Sequence, residues 1–319
     1  MLTIHNVGYQ GIFPAAAMSD LGLASAELLH QEDLRAGRIN SLKHGILYAD
    51  AITTVSPTYA REIRTEQYGM GLQDVLRARG PAVLGILNGV DYDVWDPRRD
   101  RYLPIHFDAT SLEKKAQLKR AFAARLDLTA AERTPLLGIV TRMTVQKGLE
   151  LLFDALPDTL ATRDLAFVAL GSGDPHYERY FSQLQQQFPG RVVYHRGYDD
   201  ELAHWIEAGC DMFVMPSLYE PCGLNQMYSL RYGTVPIVRR TGGLADSVEL
   251  YDPDTGSGDG IVFDAFNGTA MSWALNVALD LYAEPQHWRR MQLNGMAKDF
   301  SWNRQGTEYV RLYEQLLSS

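Results

Sequence analysis

The stretch PSLYEPCGLNQMYSLRYGTVPIVRRTGGLADSV, residues 216–248, decides the fold class of this chain. It follows the apolar run CDMFVM at 210–215, which is typical of a buried strand in a parallel sheet. After it come a loop with Glu220, a predicted helix from about Leu224, a second strand TVPIV and a glycine turn. Strand, loop, helix and strand form a βαβ unit, and open α/β sheets bind ligands where strands end and helices begin.

The loop between this strand and helix is a candidate ligand site. Backbone amides at a helix N-terminus, together with the positive end of the helix dipole, suit a phosphate group. Gly223 lets the backbone approach a ligand closely, and Glu220 could hold sugar hydroxyls or stabilise positive charge at a sugar carbon. The alternative is an ordinary strand-to-helix turn with a surface glutamate. The Thr-Gly-Gly turn at 241–243 is weaker evidence, because glycine pairs most often only shape a turn.

The composition is that of a globular protein and narrows the classes of function. Among 319 residues, 46% are hydrophobic and 22% charged, and a net charge of −9 gives no sign of a nucleic-acid surface. Cys210 and Cys222 form no disulfide framework or zinc spacing and fit a reducing cytosol. We expect a cytoplasmic enzyme without a membrane segment, because no apolar run approaches ~20 residues and the N-terminus lacks a signal-peptide pattern.

Regular alternation of strands and helices from Pro135 onward predicts a doubly wound parallel sheet in an α/β fold. Upstream, a strand AITTV and a helix starting at Ser56-Pro57 precede a strand that ends before Asn88-Gly89. We place a domain boundary near Gly89 and a terminal helix after Ser301, whose apolar side chains need a partner surface. The predicted strands after the boundary are 136–140, 165–171, 191–197, 210–215 and 234–239, and the predicted helices are about 112–126, 147–162, 175–188, 200–208 and 223–232.

Further candidate residues also follow predicted strands. Arg142, with its fork of donors, and Lys147, as a point charge, could clamp a diphosphate. The alternative is that both are ordinary surface charges, which is the more common case for such residues taken alone. The loop 171–174 lacks a full G-x-G-x-x-G, so it is weak evidence for a dinucleotide. Tyr198 offers an aromatic ring for a base or ribose, and His5 ends the first strand, although a packed tyrosine and a structural histidine are the alternatives. All of them lie where a strand ends, which favours one shared site.

Motifs throughout the chain carry a family resemblance. Besides the 216–248 stretch they are TIHNVGYQGIF at 3–13, VSPTYAREI at 55–63, ILNGVDYDVWDP at 86–97, GIVTRMTVQKGLELL at 138–152, LGSGDP at 170–175 and DFSW at 299–302. Together they closely resemble bacterial glycogen (starch) synthase, an ADP-glucose-dependent retaining glucosyltransferase with the GT-B fold. The Glu-Pro-Cys-Gly-Leu segment, the Thr-Gly-Gly-Leu turn and the Arg-x-x-x-x-Lys loop are the most specific, and they argue against a dehydrogenase.

The resemblance implies roles for the candidate residues. Arg142 and Lys147 would hold the diphosphate and steady the departing ADP, and Glu220 would face the glucosyl unit. Tyr198 would lie by the nucleoside, and His5 would contact the glucose from the first domain. Threonine is expected at position 225 in much of the family, but a contact through the backbone would make that departure of little consequence. The other implied binding positions, at the sugar, the phosphates and the domain cleft, are Asn88, Gly171, Cys222, Gly223, Leu224, Asn225, Thr241, Gly242 and Gly243.

The resemblance also implies a mechanism and partners. Glucose would pass to the 4-hydroxyl at the non-reducing end of an α-1,4-glucan with retention of the α configuration. A front-face displacement is expected, because no protein carboxylate is clearly placed as a nucleophile, and catalysis would depend on positioning and on charge stabilisation at the leaving group. The expected partners are ADP-glucose and a glucan primer, with no cofactor and no metal. The sequence does not fix the oligomeric state.

The resemblance covers roughly the last two-thirds of a full synthase. The family carries a Lys-x-Gly-Gly-Leu loop upstream of TIHN, and we expect a chain that is N-terminally truncated relative to it. Residues 1–89 would be the partial remnant of a second Rossmann-like, acceptor-side domain, 90–300 the nucleotide-sugar-binding domain, and 301–319 a helix crossing back to the first. The alternatives are an inactive nucleotide- or glucan-binding fragment of such a synthase, or a related GT-B enzyme such as a sucrose synthase or a glucan phosphorylase.

Overall fold

Two compact units make up the chain. The computed structural model describes residues 1–20, 22, 30–129 and 133–318. Unit 1 contains Met1–Leu87 and Thr307–Ser319, and unit 2 contains Asn88–Gly306. The domain limits and domain roles drawn from the sequence stay predictions. The division into two units reflects contacts within each unit and gives no function to either.

Unit 1 contains a short parallel sheet in the order β1-β4-β5 and an antiparallel pair of β2 with β3, with bounds β1 Leu2–Ile4, β2 Ile12–Pro14, β3 Arg38–Asn40, β4 Ile52–Thr54 and β5 Val83–Gly85. Its helices are α1 Gln31–Arg35, α2 Ser41–Tyr48, α3 Pro57–Glu62 and α4 Gln73–Arg79. The helix start predicted at Ser56-Pro57 is present, because the Ser56 hydroxyl accepts a hydrogen bond from the Tyr59 amide at 2.8 Å.

Unit 2 is built on six parallel strands: β6 Leu136–Val140, β7 Ala166–Gly171, β8 Val192–Arg196, β9 Met212–Met215, β10 Val235–Arg239 and β11 Ile261–Phe263. Its helices are α5 Glu113–Arg125, α6 Leu152–Thr162, α7 Pro175–Gln187, α8 Asp200–Gly209, α9 Asn225–Arg231, α10 Gly242–Ser247, α11 Gly268–Tyr282 and α12 Pro285–Met296. The last helix, α13 Trp302–Ser318, begins in unit 2 and ends in unit 1. The spatial order β8-β7-β6-β9-β10-β11 is the Rossmann order 3-2-1-4-5-6.

Successive residues of the central strands enter two different cores, which explains why β6, β7 and β9 are apolar throughout. Leu137 and Ile139 pack with side chains of α6, α7 and α11, whereas Leu136 and Val168 pack with those of α5 and α8. Because helices cover both faces of the sheet, both faces are buried and neither can be polar. The predicted doubly wound α/β sheet is confirmed.

Several elements differ from the sequence prediction. The helix predicted from 147 starts as two 3-10 turns, Val145–Lys147 and Leu149–Leu151, because Gly148 between them has a left-handed φ of 62°. The predicted glycine turn after β10 is the helix α10. Strand β11 and helices α11 and α12 were not predicted. In the described part of the chain, no helix is long and apolar enough to span a membrane.

The terminal helix α13 is covered on part of its surface only. Leu312 is buried in a small cluster with Ala51 and Ile86 of unit 1, as its apolar spacing predicted. Tyr313 and Leu317, predicted to need a partner surface, are 48% and 89% exposed.

Candidate active site

The strand order of unit 2 reverses between β6 and β9, and this is where an open α/β sheet places its ligand site. These two strands pair only at Leu137–Met212 and Gly138–Phe213, so their carboxyl ends diverge. Across this point the Asn225 amide group donates a hydrogen bond from Nδ2 to the Val140 carbonyl oxygen at 3.1 Å. The start of α9 is thereby attached to the end of β6 through the Asn225 side chain.

A partly buried ion pair connects the loops that follow these two strands. The Lys147 ammonium donates from Nζ to Glu220 Oε2 at 2.6 Å, and the Ser217 hydroxyl donates to the same oxygen at 3.0 Å. The Glu220 side chain is 6% exposed and that of Lys147 18%. Glu220 is therefore not a surface glutamate on an ordinary turn, and its carboxylate has a cation within direct contact.

Arg239, which the sequence analysis missed, shapes the loop that carries Glu220. It ends β10, is buried, and donates hydrogen bonds to the carbonyl oxygens of Ser217 at 3.3 Å and Leu218 at 2.8 Å. A buried guanidinium that satisfies backbone carbonyls holds the loop in one conformation. The available signal was an arginine directly after the apolar run VPIV.

Three glycines let the loops around Glu220 pack closely. Gly148 has a left-handed φ of 62°, and a Cβ atom there would lie 2.1 Å from the Pro216 carbonyl oxygen. Gly242 has a φ of 43°, and a Cβ atom there would lie 1.9 Å from the Glu220 carbonyl oxygen. A Cβ on Gly243 would lie 2.1 Å from the Cys222 oxygen. The Thr-Gly-Gly sequence at the start of α10 is therefore more than a turn signal, since it allows the chain after β10 to lie on the loop after β9.

Cys222 is a buried thiol in this loop. Burial raises its pKa to about 12, although a hydrogen bond from the backbone amide of Asn88 lowers it in part. The thiol is thus protonated and unreactive at neutral pH. Gly223 has a φ of 71°, and a Cβ there would lie 2.5 Å from Gln226 Oε1, so this glycine is needed for packing inside the loop as well.

The remaining candidates of unit 2 lie at neighbouring strand ends. Arg142 is exposed in the loop after β6. Gly171 ends β7, and a Cβ there would lie 1.9 Å from the Thr141 oxygen, so the two strand ends are in contact. Tyr198 follows β8 with its side chain 86% exposed.

The structure brings most of the predicted site residues to one edge of the unit 2 sheet, where they follow β6 to β10: Arg142, Lys147, Gly171, Tyr198, Glu220, Cys222, Gly223, Leu224, Asn225, Thr241, Gly242 and Gly243. Asn88 joins them through Cys222. His5 follows β1 and belongs to unit 1. Their roles in binding and catalysis stay predictions. Across residues 1–20, 22, 30–129 and 133–318, no group of three or more His, Cys, Asp or Glu side chains is arranged to hold a metal ion.

Comparison with known proteins gives the family. Residues 1–78 match the starch synthase catalytic domain model, and residues 123–293 match the model of glycosyl transferases group 1. The chain is 48% identical over 315 residues to the glycogen synthase of Koribacter versatilis, which covers 99% of this chain and 65% of the relative. The glycogen synthase of Kosmotoga olearia is 43% identical over 319 residues, covering 100% of this chain and 67% of that protein.

A solved structure agrees with these relatives. The catalytic domain of starch synthase IV from Arabidopsis thaliana, bound to ADP and acarbose, superposes with a TM-score of 0.93 at 39% identity, covering 99% of this chain and 66% of that one. The chain thus spans about 65% of the length of curated relatives such as the Koribacter protein. It belongs to the glycogen (starch) synthase family, with the α/β fold of the GT-B glycosyltransferases.

Proposed function

We propose that this chain binds ADP-glucose and acts in the transfer of glucose to the non-reducing-end 4-hydroxyl of an α-1,4-glucan. The observation that carries the proposal is the Lys147–Glu220 pair, which places a cation and a carboxylate in contact at the switch point of the sheet. The curated relatives are glycogen synthases, and the similar Arabidopsis structure is bound to ADP and acarbose. Because the chain spans about 65% of the Koribacter relative, the complete activity is a proposal for this chain.

Each site residue would act on charge that develops during transfer. The Lys147 ammonium and the Arg142 guanidinium would stabilise negative charge on the departing diphosphate. Glu220 would accept hydroxyl groups of the glucosyl unit and stabilise positive charge at its anomeric carbon. The backbone around Gly223 and the start of α9 would contact the sugar hydroxyls and the distal phosphate, and His5 would contact the glucose from unit 1.

The proposed displacement takes place on one face of the sugar. The bond between the anomeric carbon and the phosphate oxygen breaks, and the acceptor 4-hydroxyl oxygen bonds to that carbon from the same side. The leaving phosphate takes the proton of this hydroxyl, so the products are the extended glucan and ADP. Positioning of donor and acceptor would supply a large part of the rate enhancement.

The proposal includes a cytoplasmic location and the absence of a cofactor other than the donor substrate, both of which rest on the sequence and on the family.

A second candidate function is nucleotide or glucan binding without transfer. The Arabidopsis structure bound to ADP and acarbose supports it, since binding of such ligands is all that this candidate requires.

The test is release of ADP from ADP-glucose with glycogen as primer. It is run on this chain and on a fusion that adds the upstream segment of the Koribacter relative, each with and without Glu220→Gln. We expect glycogen-dependent ADP release in at least the fusion, lost in the variant. ADP binding is measured on the same proteins by calorimetry. If ADP binds but neither protein releases ADP from ADP-glucose, the second candidate is favoured. If neither protein binds ADP, both candidates are overturned.

A further inference from the structure

A carboxylate joins the exposed Tyr198 to a second tyrosine. The Tyr198 hydroxyl donates to Asp200 Oδ1 at 3.2 Å, and the Tyr102 hydroxyl donates to Asp200 Oδ2 at 2.8 Å. Arg101 donates from Nη2 to the Tyr102 hydroxyl at 2.7 Å, which leaves the proton of that hydroxyl for Asp200. Both oxygens of one carboxylate are therefore used to hold two aromatic side chains.

Tyr102 is in turn anchored in the core of unit 2. Its backbone amide donates to Asp100 Oδ1 at 2.9 Å, and the fully buried Asp100 accepts from His204 Nδ1 at 2.7 Å and from the Tyr232 hydroxyl at 2.6 Å. Burial would raise the pKa of Asp100, but the hydrogen bonds from His204 and Tyr232 outweigh it and lower the pKa, so this anchor is a carboxylate.

The aromatic core behind Tyr102 is closely packed. The Trp95 ring lies between two others, with ring centres 3.7 Å from His204 and 4.0 Å from Tyr228, and it is nearly parallel to both. The Tyr102 ring is 4.8 Å from His204. Close packing of this kind leaves Tyr102 few alternative positions, so its hydroxyl is a fixed point at the surface.

Tyr198 has no comparable packing of its own. Its side chain is 86% exposed at the carboxyl end of β8, on the edge that carries the candidate site. A free ring would lose rotamer freedom when a ligand stacks on it, which weakens binding. The hydrogen bond to Asp200 and the negative charge of that residue raise the pKa of Tyr198, as expected for a phenol held by a carboxylate.

We propose that Asp200 and Tyr102 are positioning residues, which hold the Tyr198 ring as a preformed stacking surface for the base of a nucleoside diphosphate. The inference rests on the proposed function and deepens it, because it names the residues that hold the ring which the family resemblance places beside the nucleoside. Aromatic side chains stack on nucleobases through their faces, and a tether at the phenol hydroxyl leaves the ring faces available.

The test compares a ligand that has a base with one that lacks it. Calorimetric titration of the full chain with ADP and with inorganic pyrophosphate is made for the wild type, Tyr198→Phe, Tyr102→Phe, Asp200→Ala and Asp200→Glu. Loss of the hydrogen bonds that hold Tyr198 predicts ADP binding weaker by about threefold to tenfold in Tyr198→Phe, Tyr102→Phe and Asp200→Ala, with unchanged pyrophosphate binding. Asp200→Glu, which keeps the carboxylate, should recover part of the ADP affinity.

Tyr313→Phe is the matched control, since it removes an exposed hydroxyl in unit 1 and should leave both affinities unchanged. Tyr198→Phe changes only a surface group, so it stays informative even where Asp200→Ala impairs folding. The inference is overturned when Tyr198→Phe and Tyr102→Phe bind ADP as tightly as the wild type does. It is also overturned when their affinity for pyrophosphate falls by the same factor as their affinity for ADP. A wild-type chain that binds no ADP overturns the proposed function, and the inference with it.

Discussion

Lys147 and Glu220 lie 73 positions apart in the sequence and meet at 2.6 Å between Nζ and Oε2. The contact joins the loop after β6 to the loop after β9, on the two sides of the point where the strand order reverses. The cation assigned to the diphosphate and the carboxylate assigned to the glucosyl unit are therefore in direct contact. A diphosphate that approaches this pair would share Lys147 with Glu220.

Glu220→Gln is expected to lower glucosyl transfer by at least ~10²-fold, because an amide has no charge with which to stabilise a positive anomeric carbon. The measurement is the rate of glycogen-dependent ADP release at saturating ADP-glucose, made in the fusion protein described above. Glu284→Gln, which changes an exposed carboxylate before α12, serves as the control and should keep the wild-type rate. A loss of less than tenfold for Glu220→Gln would reduce Glu220 to a structural role.

Gly242→Ala is expected to lower the free energy of unfolding by about 1–3 kcal/mol, because the added Cβ overpacks the loop. That atom would lie 1.9 Å from the Glu220 carbonyl oxygen, at a residue whose φ is 43°. Gly268→Ala is the matched control, since a Cβ there has no neighbour within 4 Å, and its stability should stay within about 1 kcal/mol of the wild type. Urea unfolding measures both, and equal stability of the two variants would contradict the packing argument.

The buried Glu207 makes stability depend on pH. Burial raises its pKa from 4.5 to about 8, against the Ser229 hydrogen bond and the Lys115 charge, which lower it. Between these values the folded carboxyl keeps a proton that the unfolded one has lost. Its contribution to stability is full below pH 4.5 and is lost as the pH rises toward 8, by up to about 1.4 kcal/mol per pH unit. The titration of Lys115, with a pKa lowered by burial from 10.5 to about 8, affects stability above this window.

We therefore expect the stability of the wild type, relative to Glu207→Gln, to fall steadily as the pH rises from about 5 to 8. Urea unfolding at a series of pH values measures the difference between the two proteins. Glu314→Gln, an exposed substitution in unit 1, should show no such trend relative to the wild type. A constant difference between the wild type and Glu207→Gln would mean that Glu207 is ionised in the folded state.

The fold could be predicted where local sequence determines it. The run LLGIV at 136–140 is buried on both faces and coincides with β6. Helix α10 was predicted as a turn, because Gly242 and Gly243 disfavour helix locally. In the structure these glycines pack closely on the carbonyl oxygens of Glu220 and Cys222, which are contacts between loops that the local sequence does not show. Strand β11 has three residues, too few to give a pattern of its own.

The site could be predicted as a set of residue types, and its contacts could not. The sequence places Arg142, Lys147 and Glu220 at strand ends, but ion pairing depends on how the strands are ordered in space. Arg239 was missed because the groups that it holds in the Glu220 loop are backbone carbonyls, which no residue type reveals. Asp200 was missed because its partner Tyr102 is 98 positions away.

The most direct test of the donor site is calorimetric titration of ADP into the wild type, Lys147→Met, Arg142→Met and the control Lys114→Met, which removes an exposed cation of α5. Loss of a charge-assisted contact to the diphosphate predicts that Lys147→Met and Arg142→Met bind ADP at least ~10-fold more weakly. Lys114→Met should bind as the wild type does. Wild-type ADP affinity in Lys147→Met would contradict the assignment of Lys147 to the diphosphate.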